Sequence, residues 1–199
     1  MTKIKCCGMM RMEDITAANA LKPDYVGYIL APGRKRTITH YRAASFTGAL
    51  DPGIIPVGVF VDEEPQIVAG LLNTGVIRIA QLHGNEDEAY IRELRTMTKE
   101  PIWKAFRIQS AEDVQRAQDS SADMVLLDSG TGSGRAFNWD LLQGFERAYM
   151  LAGGLDPENI EDAINSLQPY GVDVSSGIET EGQKDAAKMT AFLKAVRGE

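Results

Sequence analysis

The chain's reactive side chains sit where short apolar runs end. The first such place is Lys3-Ile4-Lys5-Cys6-Cys7-Gly8. In an extended segment side chains alternate, so Lys5 and Cys7 share one face and Ile4 and Cys6 the other. Ile4 suits an apolar layer beneath helices, which turns Lys5 and Cys7 to the inner side. A thiol beside a lysine ammonium is expected to have its pKa lowered from about 8.5, which makes Cys7 a candidate base or nucleophile. The plain alternative is that both cysteines are small buried apolar groups. The second place is Met124-Val125-Leu126-Leu127-Asp128, where one carboxylate ends an apolar run. Such a carboxyl in a dry cleft can have a raised pKa and serve as a general acid. Capping or turn formation is the alternative for Asp128, but a glycine loop separates it from the next helical pattern.

Three further segments surround these two. Gln81-Leu82-His83-Gly84 puts Gln81 and His83 on one face. His83 is one of two histidines and is a site-lining candidate, although a lone histidine is more often structural. The other, His40, reads as an exposed residue at a helix start. Ala31-Pro32-Gly33-Arg34-Lys35-Arg36-Thr37 places three cations in one loop of an acidic protein. Arg34 and Lys35 are accepted as solvated surface. A guanidinium from this loop can instead grip a carboxylate with two prongs. Finally, Gly153-Gly154 and Ser175-Ser176-Gly177 follow late strand candidates, and Asp173 shares its face with Ser175. Asp173 can accept from sugar hydroxyls or, in the plain reading, from nearby backbone. No His, Cys and acidic cluster has metal-ligand spacing.

These segments need a scaffold that gathers strand ends. Strand patterns cover Ile4–Cys7, Tyr25–Leu30, Ile55–Val61, Ile79–Leu82, Ile102–Arg107, Met124–Asp128, Ala148–Ala152 and Val172–Val174. Helical periodicity covers Glu13–Leu21, His40–Leu50, Glu64–Asn73, Glu86–Thr98, Ala111–Asp119, Trp139–Phe145, Pro157–Leu167 and Lys184–Arg197. Asp156 is expected to cap the seventh helix, and Ser110 with Asp113 resembles a capping box. Alternating β and α means a parallel sheet with right-handed crossovers. Eight units favour a closed (β/α)8 TIM barrel over an open doubly wound sheet, and no G-x-G-x-x-G follows the first strand. Barrel chemistry sits at the carboxyl ends of the strands, and the last two loops often bind phosphate through side-chain-free backbone. The chain has 199 residues, 44% of them apolar, which suits one compact barrel domain spanning 1–199 with short loops. Its net charge of −7 argues against nucleic acid or anionic membrane as partner. No apolar run reaches the roughly 18 residues of a membrane span. Two adjacent cysteines form no disulfide framework, which suits a reducing cytoplasm.

With these residues in view, the chain resembles the phosphoribosylanthranilate isomerase family of tryptophan biosynthesis, from Lys3 to about Lys188. The resemblance rests on Lys5-Cys6-Cys7-Gly8, Val26-Gly27-Tyr28-Ile29, the Arg36 loop, Gln81-Leu82-His83-Gly84, Leu126-Leu127-Asp128, Gly132-Ser133-Gly134, Gly153-Gly154 and Val172-Asp173-Val174-Ser175-Ser176-Gly177. It implies a small barrel without metal or organic cofactor that converts N-(5-phosphoribosyl)anthranilate into 1-(2-carboxyphenylamino)-1-deoxyribulose 5-phosphate. It implies Cys7 as general base and Asp128 as general acid. Arg36 would face the anthranilate carboxylate, and Gly153, Gly154, Ser175, Ser176 and Gly177 would cradle the phosphate. Lys5, Gln81, His83 and Asp173 complete the expected substrate contacts. The expected partner is a small phosphosugar, with the chain a monomer or homodimer. Cys6, Arg135 and Asn138 depart from the residues usual in the family, and the loop from Ser129 to Phe137 is short for it. Two rivals are an isomerase on the same barrel that also accepts a histidine-pathway aminoaldose, and a non-catalytic phosphosugar-binding barrel.

Overall fold

The computed structural model describes residues 1–128, 139–142 and 144–199. Eight parallel strands close into a barrel in chain order. They are β1 (Lys3–Cys7), β2 (Tyr25–Ile29), β3 (Ile55–Phe60), β4 (Ile79–Leu82), β5 (Ile102–Arg107), β6 (Met124–Asp128), β7 (Tyr149–Ala152) and β8 (Gly171–Val174). Seven α-helices pack outside among the described residues: α1 (Met12–Leu21), α2 (His40–Ala49), α3 (Pro65–Asn73), α4 (Glu88–Met97), α5 (Ala111–Asp119), α6 (Ile160–Leu167) and α7 (Ala186–Arg197). The first and last strands meet, with Lys5 opposite Asp173 and Cys6 opposite Val174.

Alternation along each strand divides the core into two layers. Ile4, Cys6, Val26, Tyr28, Phe60 and Leu82 pack outward against the helices. Tyr25, Val57, Ile79, Trp103, Leu126 and Met150 fill the barrel interior. Tyr25 and Trp103 meet edge to face there, with ring centroids 5.1 Å apart. Packed side chains therefore floor the barrel, and only its upper rim is left for a ligand.

Local signals explain most helix starts. Ser110 Oγ accepts from the Asp113 N–H, and the Asp113 carboxylate accepts back from the Ser110 N–H, which completes the expected capping box on α5. Three expectations are corrected. Asp156 does not cap α6: its Oδ1 accepts from the N–H groups of Glu158 and Asn159, closing a turn, and the helix begins at Ile160. The segment from Trp139 forms a short 3-10 turn, Trp139–Leu142, in place of an α-helix to Phe145. Lys184 lies outside the last helix. It pairs in a hairpin of β9 (Glu179–Thr180) and β10 (Gln183–Lys184). Glu181 and Gly182 form its two-residue turn, both with positive φ, 53° and 78°, as the right-handed twist of such hairpins requires.

Candidate active site

A cleft of about 490 Å³ opens at the carboxyl ends of the strands. Cys7 from β1, Gln81 from β4 and His83 just after it, Asp128 from β6 and Asp173 from β8 all line it. The Arg36 loop forms one side, and Gly153-Gly154 with Ser175-Ser176 forms another. Strand parity thus explains why residues far apart in the chain share one wall.

The two cysteines are chemically unlike. Cys6 points outward beneath the helices, where burial pushes its thiol up to about 12. Burial also raises the Cys7 thiol above its ordinary value, which corrects the expected lowering by Lys5. Lys5 does favour the thiolate, but Asp173 opposes it. The reason is geometric: Lys5 Nζ donates to Asp173 Oδ2 at 2.8 Å, so the lysine charge is shared. The Lys5 side chain is wholly buried below the cleft wall. It therefore bears on a ligand through Cys7 and Asp173.

Two polar acceptors in the wall have no hydrogen-bond partner among the described residues. They are Asp173 Oδ1 and Gln81 Oε1. Burial holds the Asp173 carboxyl above its usual range in spite of Lys5. Unmatched buried acceptors are costly, and donors such as sugar hydroxyls would satisfy both. The Gln81 amide nitrogen lies 3.1 Å from His83 Nδ1, and His83 Nε2 lies 3.3 Å from Asp128 Oδ2. If the Gln81 amide donates to Nδ1, the ring proton sits on Nε2 and faces Asp128.

The turns after β7 and β8 are held from behind. Asn159 Nδ2 donates to the Gly154 carbonyl at 2.8 Å. Ser175 Oγ donates to the Cys7 carbonyl at 3.1 Å, which joins the last turn to the first strand. Gly177 lies outside the cleft wall. It packs against the turn after β7, where a Cβ would fall on the Leu155 carbonyl oxygen and within 2.9 Å of Asp156 Cα. It therefore holds the two turns in contact.

Arg36 lines the cleft, and two of its N–H groups are already engaged. Nε and Nη2 reach the two carboxylate oxygens of Glu179 at 2.5 and 2.6 Å. Lys184 Nζ approaches the same carboxylate at 2.6 Å and also donates to the Ser175 carbonyl at 2.8 Å. Glu179 and Lys184 were not singled out as site residues in the sequence. The available signal was Gly182, a turn-favouring residue just ahead of the expected helix start at Lys184. Arg34 and Lys35 are exposed, and both edge the cleft mouth. Gly132-Ser133-Gly134, Arg135 and Asn138 fall outside the described residues.

Fold and cleft define a (β/α)8-barrel protein with a thiol and a carboxyl facing one ligand space at the strand ends. The family model for N-(5'-phosphoribosyl)anthranilate isomerase matches residues 4–195. The chain belongs to that family. A curated relative of the same name from Thermoanaerobacter sp. (strain X514) is 42% identical over 205 residues, covering 100% of this chain and 99% of the relative. The phosphoribosyl anthranilate isomerase structure from Thermotoga maritima superposes with a TM-score of 0.93 at 33% identity, covering all of both chains. Another such isomerase, solved with reduced 1-(o-carboxyphenylamino)-1-deoxyribulose 5-phosphate, superposes with a TM-score of 0.90 at 32% identity, again covering both chains fully.

Proposed function

We propose that Cys7 and Asp128 are the base and acid with which this isomerase rearranges N-(5-phosphoribosyl)anthranilate to 1-(2-carboxyphenylamino)-1-deoxyribulose 5-phosphate. The observation that carries the assignment is the shared cleft: Cys7 and Asp128 line the same space as the turns at Gly153-Gly154 and Ser175-Ser176. Asp128 gives its proton to the furanose ring oxygen, the bond from that oxygen to the first sugar carbon breaks, and an open-chain iminium forms. The Cys7 thiolate then takes the proton from the second carbon. The released electron pair makes a carbon–carbon double bond and neutralises the iminium, leaving an enolamine. Tautomerisation gives the ketone. No atoms are gained or lost, so the reaction needs one acid and one base in the same site at one pH.

The remaining cleft residues bind. Main-chain N–H groups of the two late turns hold the phosphate, a remote anchor that positions the ribose. Asp173 and Gln81 accept from sugar hydroxyls through the oxygens that have no partner among the described residues. His83 orients Asp128. Arg36 faces the anthranilate carboxylate with the N–H groups that Glu179 does not use. Residues 1–199 act as one barrel domain, a monomer or homodimer in the cytoplasm, on a small phosphosugar. No described helix is long and apolar enough to cross a membrane. The decisive experiment is a fluorescence assay for consumption of freshly made phosphoribosylanthranilate by the purified protein. Binding of the phosphosugar without turnover would reduce the chain to a binding barrel.

A further inference from the structure

The hairpin β9–β10 carries a buried carboxylate behind Arg36 that the acid–base chemistry does not use. The Glu179 side chain is 5% exposed and Lys184 only 1%, so both charges are removed from water. Burial works to raise the Glu179 carboxyl, but hydrogen bonds from Arg36 and Lys184 outweigh it and hold the group below its ordinary value. It is therefore an anion near neutral pH.

Its contacts fix a geometry. Arg36 meets Glu179 side-on through Nε and Nη2, a planar fork on a carboxylate that removes rotational freedom from the guanidinium. The Arg36 stem is held as well: a Cβ on Gly8 would lie 2.6 Å from Arg36 Cδ, so the stem packs directly over Gly8, the residue that follows Cys7. Thr37, next in the chain, is tied down through its Oγ1, which donates to the Arg34 carbonyl. The hairpin itself is anchored from several sides. Arg11 Nη2 donates to the Lys184 carbonyl and Lys188 Nζ to the Glu179 carbonyl. Lys184 carries the link on to Ser175. A continuous chain of charge-assisted contacts thus runs from Arg36 through Glu179 and Lys184 to the turn after β8.

We propose that Glu179 is a specificity-determining positioning residue: it fixes the Arg36 guanidinium so that the unused N–H groups meet the ligand's ring carboxylate at a set distance from the phosphate turn. This rests on the reading of Arg36 as the carboxylate-binding group. Glu179 touches no reacting atom. It acts by holding a flexible arginine in one orientation before the ligand arrives, which lowers the ordering cost of binding. A second carboxylate can then share the same guanidinium, because two of its five N–H donors are used by Glu179.

The test compares two ligands, reduced 1-(2-carboxyphenylamino)-1-deoxyribulose 5-phosphate and its anilino counterpart without the ring carboxylate. The ratio of their affinities, from calorimetric titration, measures what the carboxylate contributes. Glu179→Gln is expected to lower affinity for the carboxylated ligand by about tenfold, the size of one charge-assisted hydrogen bond. Affinity for the anilino ligand should be nearly unchanged. Arg36→Ala is the control for the underlying reading: if it leaves the ratio as in the parent, Arg36 does not bind the carboxylate. If Arg36→Ala collapses the ratio while Glu179→Gln preserves or raises it, Arg36 stands and the positioning role of Glu179 is overturned. An equal loss for both ligands would mark Glu179 as merely structural and also overturn it. Should Glu179→Gln fail to fold, the double variant Glu179→Ala, Lys184→Met removes both buried charges and is read by the same ratio.

Discussion

Replacing Cys7 with serine should nearly abolish turnover, while Cys6→Ser should leave steady-state rates close to the parent. A hydroxyl is a far poorer source of an anion than a thiol, and Cys6 faces the helices rather than the cleft. Equal tolerance of both changes would remove the base. Asp128→Asn should lose turnover at saturating substrate and keep affinity for the reduced product analogue; lost affinity with intact turnover would make Asp128 a clamp. The raised Cys7 pKa sets a further expectation. In a Cys6→Ser background, thiolate absorbance should appear with a midpoint above the ordinary value of about 8.5. Lys5→Met should move that midpoint higher still, because burial and Asp173 would then act without the ammonium that opposes them. A midpoint that falls on loss of Lys5 would contradict the geometry. At this scale parity along β1 was enough to separate Cys7 from Cys6. It could not reveal that Lys5 is shared with Asp173, because that pairing spans 168 positions and depends on which strands become neighbours.

Among elements, the turns after β7 and β8 pack against each other, with Gly177 as the contact point. Gly177→Ala should sharply weaken affinity for inorganic phosphate and lower the melting temperature, since its Cβ would overlap main chain that cannot swing aside. Unchanged phosphate binding would separate the two turns. Most elements were legible because strand and helix periods differ clearly: β4, β5, β6 and α5 fall where the patterns place them. The misplacements share a cause. Pro157 and Asp156 look like a helix start, yet the Asp156 carboxylate is used by a tighter turn. Lys184 heads the expected last helix, yet the positive φ values at Glu181 and Gly182 turn the chain back on itself and place Lys184 in the returning strand. At Ser110 the capping chemistry was legible in kind and position; at Asp156 it was legible in kind only, because its carboxylate accepts from the nearest N–H groups, those of Glu158 and Asn159, ahead of the helix.

For the molecule as a whole, the count of eight β–α units and the absence of a dinucleotide-binding glycine motif favoured closure over an open sheet, and the eight strands do close. Closure puts Lys5 opposite Asp173, so opening the sheet there strands two buried charges. Hydrogen exchange at the β1 amides should therefore track global unfolding measured by denaturant; faster exchange through local fraying would show that the seam opens by itself. Because β1 is bounded by β8, the thiol is made first and furnished last. A nascent chain leaving the ribosome displays Cys7 long before Asp173, Ser175 and Lys184. Until they arrive, the thiol lacks the walls that bury it and stands as an accessible sulfur, open to alkylation or oxidation.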